Sequence, residues 1–409
     1  MVEEHNFGLR TRLIHGRLGV RDSERAKYSS HVMPIWQTST WKAKTVKEMR
    51  AMFSGKTRKD FYTRVSNPNS RKLEYLFCLL EEGEAAQVFN TGMAAIEVTV
   101  RNLTKMKDQI IAHRGLYGGT INFLKDMALF GISTTFVDAR DFRNVLEAVT
   151  KFTRAVLLES PSNPMMDICD YERVKSELRK MGREDILVVV DNTFATPHNQ
   201  RPLNNGADIV IHSATKYLNG YGNFMGGAVV TSRAIMERIW KRYSGSGAMD
   251  AEVAARMTNN IIGIGDRMER HNKNGFAVAT YLASCPWVSH VYYCGFPSHT
   301  NHDVAKRLMT GFGGMVSFEL AHPYKSKTET FIDKLAQDER EGKGIVSHCV
   351  SLGIIDTTIC CPGQSTHLSV SEEEKLEQGI NNDIVRLSVG TEDGPDIIYS
   401  LKRGSEAIR

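Results

Sequence analysis

Two hydrophobic stretches decide the fold of this chain: ILVVVD at residues 186–191 and IVIHSATK at residues 209–216. Each opens with a short run of mostly β-branched residues without a polar interruption, as is typical of a parallel strand covered on both faces. The first run ends at Asp191, and the second is followed closely by Lys216. Because ligands of open α/β sheets bind beyond the carboxyl ends of the strands, we expect both side chains to face one ligand there.

The types of these two residues indicate a cofactor. A lysine amine can form a Schiff base with an aldehyde, and a carboxylate can keep a pyridine nitrogen protonated so that the ring accepts electrons. Aspartate and lysine also occur at strand ends for structural reasons, so their neighbours matter. Ser213 and Thr215 place hydroxyls beside Lys216, and Gly92 lies in a predicted strand–turn–helix, where backbone amides and a helix N-terminus can approach an anion. Together these residues predict a pyridoxal phosphate site.

Sequence motifs spread over the whole chain match a single enzyme family. They are YTRVSNP (62–68), TGM (91–93), LYGGT (116–120), ESPSNP (159–164), DNTF (191–194), SATKY (213–217), RMERH (267–271), GFGGM (311–315) and RLSVG (386–390). On these motifs the chain resembles the Cys/Met-metabolism pyridoxal phosphate enzymes, the group of cystathionine γ-lyases, methionine γ-lyases, cystathionine γ-synthases and O-acylhomoserine sulfhydrylases. The resemblance implies an α/β fold, the aspartate-aminotransferase-like fold type I of pyridoxal phosphate enzymes, with a mostly parallel sheet in a large domain and a smaller C-terminal α/β domain.

The order of the hydrophobic segments predicts three parts. Residues 1–62 contain no convincing core strand and resemble the family's N-terminal arm, which contributes to a neighbouring subunit. Residues 63–262 are predicted to form the large cofactor-binding domain, because apolar strands alternate there with amphipathic helices. Residues 263–409 are predicted to form the smaller domain. The strands that we expect are 85–89, 110–112, 134–137, 155–158, 186–190 and 209–211 in the large domain, and 288–293, 314–320 and 384–389 in the smaller one.

The resemblance assigns the chemistry to three residues. Lys216 would hold the cofactor as a Schiff base and transfer protons once the amino-acid substrate has displaced it. Asp191 would pair with the pyridine nitrogen. Tyr117 would stack on the cofactor ring and exchange a proton with the substrate or the leaving group. Outside its motif, Tyr117 would be interpreted as an ordinary half-buried tyrosine.

The resemblance also implies how the cofactor phosphate is bound. Its contacts within the subunit would come from Gly92, Met93, Ser213 and Thr215. Tyr62 and Arg64 resemble a pair that reaches the phosphate from a neighbouring subunit, and a planar guanidinium suits a bidentate phosphate contact. An exposed tyrosine and arginine on a loop are otherwise solvated surface. With this role for the pair, the enzyme would be active only as a homo-oligomer, a dimer or a tetramer of dimers.

Three further residues are expected to bind the substrate or to lie beside it. Arg386 and Ser351 match the positions that hold the α-carboxylate of the substrate, and arginine is the usual partner of a carboxylate held in one orientation. Asn163 is expected close to both cofactor and substrate. Glu159 either supports the site from behind or shapes a turn.

The reaction within the family is harder to predict, because elimination and replacement use the same residues. Gly119 stands where methionine γ-lyases usually carry a cysteine, whereas Asp356 stands where γ-lyases carry a glutamate. The glycines at 226–227 are typical of sulfhydrylases, but Tyr221 replaces their usual histidine, and residues 357–364 also depart from relatives. Our hypothesis is a γ-elimination lyase that acts on a sulfur amino acid. The alternatives are a γ-replacement enzyme and a γ-lyase for a substrate without sulfur.

Composition places the chain among ordinary metabolic enzymes and excludes other classes. Its 409 residues are 41% hydrophobic, and its net charge of +5 comes from bases interspersed with acids, which gives no support to nucleic-acid binding. No targeting segment or membrane span is visible, so a cytoplasmic enzyme is expected. The seven cysteines show no metal-ligand spacing. The adjacent Cys360 and Cys361 are either reactive or, as we favour, small buried hydrophobic residues.

Overall fold

The computed structural model describes residues 8–15, 32–54, 57, 59–243, 245–366, 368 and 371–409. Its first helices are α1 (Leu9–His15), α2 (Val46–Phe53) and α3 (Pro68–Glu81). The described residues before α3 form no strand, and only an isolated bridge joins Thr40 to Tyr62. Residues 1–7, 16–31, 55–56 and 58 of the predicted arm lie outside the described residues. The part boundaries at residues 62 and 262 stay predictions.

A seven-stranded sheet forms the larger layer, in the order β1-β7-β6-β5-β4-β2-β3. Its strands are β1 (Ala85–Phe89), β2 (Gln109–His113), β3 (Ser133–Val137), β4 (Thr153–Glu159), β5 (Leu187–Asp191), β6 (Ile209–His212) and β7 (Gly227–Thr231). Strands β2 to β6 run parallel to one another, whereas β7 is antiparallel to β1 and β6. The mostly parallel α/β sheet expected from the sequence is therefore confirmed.

Helices cover both faces of this sheet, and the central strand β5 is buried throughout. Val189 packs on one face with residues of the helices that follow β1 and β2, whereas Val188 and Val190 pack on the other face. This two-sided burial explains why the central strands are apolar without alternation. The helices are α4 (Gly92–Leu103), α5 (Gly118–Asp126), α6 (Phe142–Glu147), α7 (Tyr171–Lys180), α8 (Thr196–Asn199), α9 (Arg233–Arg242) and α10 (Ala251–Ile262).

A second, five-stranded sheet follows the long helix α11 (Ile264–Ala283) and has the order β10-β11-β12-β9-β8. Its strands are β8 (Val288–Tyr292), β9 (Met315–Leu320), β10 (Ser347–His348), β11 (Thr358–Cys360) and β12 (Ile384–Ser388). Its other helices are α12 (His302–Leu308), α13 (Thr328–Arg340), α14 (Glu372–Glu377) and α15 (Gly394–Glu406). Cys360 and Cys361 are both buried here, as expected. None of the described helices combines the length and apolar character that a membrane span requires.

The second sheet contacts the first at the loop that follows β4. The hydroxyl of Ser317 in β9 donates to the carbonyl oxygen of Pro164 at 2.7 Å, and Arg386 in β12 donates to the side-chain oxygen of Asn163 at 3.1 Å. Because this loop lies at the carboxyl end of a central parallel strand, the second sheet is held beside the edge where ligands bind.

Candidate active site

Lys216 lies just beyond the end of β6 and is half-buried. Burial, reinforced by the positive charge of Arg386, lowers the pKa of Lys216 to about 8. The segment 351–356 lies directly against this lysine: Gly353 has a positive φ of 67°, and a Cβ atom built on it would be 3.1 Å from the Cβ of Lys216. A lysine amine is nucleophilic only when it is neutral, so the environment of Lys216 favours covalent chemistry.

Asp191 is the last residue of β5 and is held in place through one of its oxygens. Oδ1 accepts hydrogen bonds from the backbone N–H of Thr193 at 3.0 Å and from its hydroxyl at 2.5 Å. The same hydroxyl accepts the backbone N–H of Ser213 at 2.8 Å, which ties the end of β5 to the loop after β6. Because both bonds use Oδ1, Oδ2 keeps its capacity to accept a hydrogen bond from a ligand.

Glu159 ends β4 beside Asp191, since the two residues are paired neighbours in the parallel β4–β5 ladder. Its Oε2 accepts the backbone N–H of Tyr117 at 2.9 Å. Burial, and after it the negative charge of Asp191, raise the pKa of Glu159 well above its usual value. Burial also raises the pKa of Asp191, against the bonds from Thr193. A cation placed beside these two carboxyl groups would therefore be strongly stabilised.

Gly92 and Ser213, two of the predicted phosphate ligands, lie against each other. A Cβ atom built on Gly92 would be 2.7 Å from the Cβ of Ser213 and 2.9 Å from its Oγ, so only glycine permits this approach. Gly92 also begins α4, whose N-cap Thr91 accepts the Ala94 amide at 3.0 Å. The helix start thus presents backbone donors and a favourable dipole beside the Ser213 hydroxyl.

Met93 and Thr215 border the same place. Met93 is the second residue of α4, and the hydroxyl of Thr120 lies 4.0 Å from its sulfur. The hydroxyl of Thr215 accepts the Gly226 amide at 3.0 Å and lies 3.2 Å from the Gly226 carbonyl oxygen. This part of the predicted phosphate site is therefore shaped in part by the loop that precedes β7.

Arg386 is 2% exposed, and its guanidinium donates to the side-chain oxygen of Asn163 at 3.1 Å and to the carbonyl oxygen of Val350 at 3.0 Å. It forms no ion pair with an acidic side chain of the described residues. A buried guanidinium without an acid is costly, so the site suits an anionic ligand. Ser351, half-buried, directly follows Val350 in the chain. The structure thus brings Asn163 and Arg386 together, with Ser351 nearby.

Tyr62 and Arg64 lie on the surface, on the segment that leads into α3. The guanidinium carbon of Arg64 lies 5.3 Å from the centre of the Tyr62 ring, within the range of a cation–π contact. Gly245, with a positive φ of 84°, packs against the Arg64 side chain. The contact of this pair with a neighbouring subunit stays a prediction.

Sequence reasoning missed Thr193 and a buried pair beneath the strand ends. A signal for Thr193 existed, because an aspartate often accepts the amide two residues further on. His212 Nε2 lies 2.6 Å from Oε1 of Glu81, both side chains are fully buried, and Asn192 donates to the same oxygen at 2.9 Å. No sequence pattern signals this pair, because Glu81 lies in α3, far from His212 along the chain.

These residues fit pyridoxal phosphate on chemical grounds. Lys216 offers an amine for its aldehyde, Asp191 an acceptor for its ring nitrogen, and the junction of Gly92 and Ser213 donors for its phosphate. The fold and the site define a pyridoxal phosphate-dependent enzyme of fold type I.

A family model described as Cys/Met metabolism PLP-dependent enzyme matches residues 11–406, and the chain belongs to this family. An L-methionine gamma-lyase of Fusobacterium nucleatum subsp. polymorphum is 38% identical over 413 residues, which cover 100% of both chains. A cystathionine gamma-lyase of Bacillus subtilis (strain 168) is 35% identical and covers 98% of this chain and 99% of its own. The crystal structure of cystathionine gamma-lyase from Lactobacillus plantarum complexed with L-serine matches with a TM-score of 0.88 at 32% identity, over 98% of this chain and 99% of that one.

Proposed function

We propose that this protein is a γ-elimination lyase. Its substrate would be a γ-substituted sulfur amino acid of the cystathionine, methionine or homocysteine type, and its products a thiol, 2-oxobutyrate and ammonia. Lys216, with a pKa of about 8, and the buried Arg386 without an acidic partner among the described residues support an amino-acid substrate. The observation that carries the choice of elimination is the similarity of the chain to relatives named as γ-lyases. An amino-acid substrate brings the carboxylate that Arg386 lacks, and Lys216 is an amine able to take its α-proton.

Each residue of the site then has a distinct task. Arg386, with Asn163 and Ser351, binds the substrate carboxylate and so orients the α-carbon. Pyridoxal phosphate, when bound, supplies an electron sink for the charge left by the departing α-proton. Lys216 anchors the cofactor and moves protons, and Tyr117 exchanges a proton with the substrate or the leaving group. Asp191 accepts a hydrogen bond from the cofactor nitrogen.

A γ-replacement enzyme is the alternative, and a cystathionine gamma-synthase of Mycobacterium leprae is 36% identical to this chain. Packing accounts for the two glycines that favoured this alternative. A Cβ atom built on Gly227 would be 2.1 Å from the carbonyl oxygen of Thr91, and one built on Gly226 would be 2.5 Å from the Cε of Met257. Backbone packing requires Gly227, and a side chain at Gly226 would need the Met257 side chain to move, so the two glycines do not by themselves indicate replacement. The relatives named as γ-lyases favour elimination.

We expect the substrate to be selected by two loops that meet beside Lys216. The carbonyl oxygen of Gly220 accepts the Ile355 amide at 2.8 Å, so the loops 220–226 and 351–356 are joined. These loops carry Tyr221 and Asp356, both exposed. An unusual leaving group, including one without sulfur, would be accommodated by these loops, since the residues that would bind the cofactor lie elsewhere.

Product analysis tests the proposal. The purified protein with added pyridoxal phosphate is incubated with cystathionine, methionine, homocysteine or O-acetylhomoserine, each with and without sulfide, and the products are identified by mass spectrometry. Release of 2-oxobutyrate without sulfide supports elimination, and the best substrate defines the specificity. Homocysteine formed from O-acetylhomoserine only with sulfide would show a sulfhydrylase instead. The Lys216→Ala variant controls for cofactor chemistry in solution.

We further propose that the protein is a cytoplasmic homo-oligomer, a dimer or a tetramer of dimers. Two observations support this proposal. Tyr62 and Arg64 are exposed on the surface of the subunit. Each of the seven cysteines is free, as is usual in a reducing compartment.

A further inference from the structure

The position of the Tyr117 side chain needs an explanation. The residue is 42% exposed and packs in none of the hydrophobic cores of the described residues. Tyr117 is the N-cap of α5, but its side chain makes no capping hydrogen bond. An exposed ring at a helix start would ordinarily change rotamer freely, whereas a group that exchanges a proton must keep one geometry.

The backbone of Tyr117 is held by Glu159. The Tyr117 amide donates to Oε2 of Glu159 at 2.9 Å, and Glu159 is buried at the end of β4 beside Asp191. The start of α5 is thereby tied to the carboxyl edge of the sheet, next to the residue that faces the cofactor nitrogen.

The ring of Tyr117 lies in space that Gly119 leaves open. Gly119 is the second residue of α5 and does not have a positive φ, so its backbone conformation does not require glycine. A Cβ atom built on it, however, would be 2.6 Å from Cε1 of Tyr117 and 3.4 Å from the sulfur of Met93. In this chain, a side chain at position 119 would therefore require the Tyr117 ring to leave the position that it has here.

We propose that Glu159 and Gly119 are positioning residues that together fix Tyr117, Glu159 through its backbone amide and Gly119 by leaving room for its ring. This inference rests on the proposed role of Tyr117 and deepens the proposed function. It gives Glu159 a defined task in the site, and it gives a packing reason for glycine at position 119.

Glu159 acts here as a hydrogen-bond acceptor, and a charge is not needed for that. The acidic side chains that face it are Asp191 and Asp167, and together with burial they favour its neutral form. Glutamine is neutral, similar in shape and keeps an oxygen that can accept the Tyr117 amide. Glu159→Gln is therefore the conservative variant, and Glu159→Ala removes the acceptor.

The test combines Gly119→Ala, Glu159→Ala and Glu159→Gln, each in the wild-type background and in the Tyr117→Ala background. Gly265→Ala is the matched control, because Gly265 is also near a helix start and a Cβ atom there would make an ordinary contact of 3.7 Å with His198. Two readouts are used for every variant: the circular dichroism of the bound cofactor at its absorption band, and kcat and KM for the best substrate.

In the wild-type background, Gly119→Ala and Glu159→Ala are expected to change the cofactor dichroism and to lower kcat about 10-fold or more, because small misplacements are costly in catalysis. Glu159→Gln should restore most of the loss seen in Glu159→Ala, and Gly265→Ala should match the wild type. In the Tyr117→Ala background, Gly119→Ala and Glu159→Ala should each lower kcat by less than about 2-fold further, since the effects of coupled residues are not additive.

Equal losses of kcat in the wild-type and Tyr117→Ala backgrounds would overturn the inference, because Gly119 and Glu159 would then act independently of Tyr117. An unchanged dichroism in both single variants would overturn it as well. The dichroism needs no substrate, so the inference can hold or fail whichever reaction the protein catalyses. Failure of the proposed function would instead appear in the product analysis of the wild-type protein.

Discussion

Arg386 and Lys216 show how burial prepares single side chains for chemistry. Arg386 is almost fully buried and, among the described residues, donates hydrogen bonds to neutral oxygens of Asn163 and Val350. The burial of Lys216 and, after it, the charge of Arg386 lower the pKa of the lysine to about 8. The same cation would therefore attract the proposed substrate carboxylate and favours the neutral, nucleophilic form of the lysine.

The reaction of Lys216 with the cofactor is expected to depend on pH. Because the pKa of Lys216 is lowered to about 8, its neutral form becomes abundant as the pH rises through that value. After apoprotein is mixed with pyridoxal phosphate, the rate at which the absorption band of the Schiff base appears should rise with pH, with a midpoint near pH 8. An ordinary lysine would give a midpoint near about 10.4. Stopped-flow absorbance measures the rate, Lys216→Ala should show no band, and a midpoint near that of free lysine would contradict the prediction.

Arg386→Lys should weaken substrate binding and leave cofactor binding intact. Lysine keeps the charge but loses the planar fork that orients a carboxylate, so we expect KM to rise about 10- to 100-fold. Steady-state kinetics and the cofactor absorption band measure the two effects. Arg270→Lys is the control, because Arg270 is exposed and pairs with Asp393. The assignment of Arg386 fails if KM is unchanged or if the cofactor band is lost.

Among the secondary-structure elements, the end of β5 is tied to the loop after β6 by the hydroxyl of Thr193. Thr193 donates to Asp191 at the end of β5 and accepts from the backbone of Ser213 after β6. The Asp191 carboxylate, which we propose faces the cofactor nitrogen, and the loop that we propose binds its phosphate are thus held at one spacing. Because of this link, the ends of β5 and β6 would bind the cofactor with a fixed spacing between them.

Thr193→Val should remove this link between the ends of β5 and β6. Valine has the same shape but no hydroxyl, so a buried amide and a buried carboxylate each lose a partner, which costs about 1–3 kcal/mol in the free energy of unfolding. We also expect the Kd of pyridoxal phosphate to rise about 10-fold, by the same loss of orientation. Urea unfolding and cofactor titration of the apoprotein measure the two quantities. Thr193→Ser keeps the hydroxyl and should resemble the wild type, whereas a valine variant with wild-type affinity would refute the link.

Over the whole molecule, the site lies where the two sheets meet. Lys216 and Asp191 come from the large sheet, Arg386 from the smaller one, and Asn163 in the loop after β4 contacts Arg386. The proposed role of the exposed pair Tyr62 and Arg64 would extend this scheme to a second subunit. A substrate bound by these residues would contact both sheets of one subunit and a cofactor shared with its neighbour.

Complementation tests the shared site. If Arg64 acts on a neighbouring subunit's cofactor, an Arg64→Ala subunit and a Lys216→Ala subunit together form one intact site in each mixed dimer. Co-expression of the two variants, each of low activity alone, should then restore up to about a quarter of wild-type activity for a symmetric dimer. Arg71→Ala, on α3, replaces Arg64→Ala in the control mixture. No restored activity in purified mixed dimers would place Arg64 in its own subunit's site.

The sequence by itself determined where most strands lie along the chain and which cofactor the family uses, because buried strands are local apolar runs and the family's motifs are short and local. It did not predict β7, which follows a glycine-rich loop, nor the short strands β10 and β11. Only the tertiary structure decided which distant residues meet: Glu159 with the Tyr117 amide, and Glu81 with His212. Such contacts depend on how whole elements pack, and no local period or motif in the chain encodes that packing.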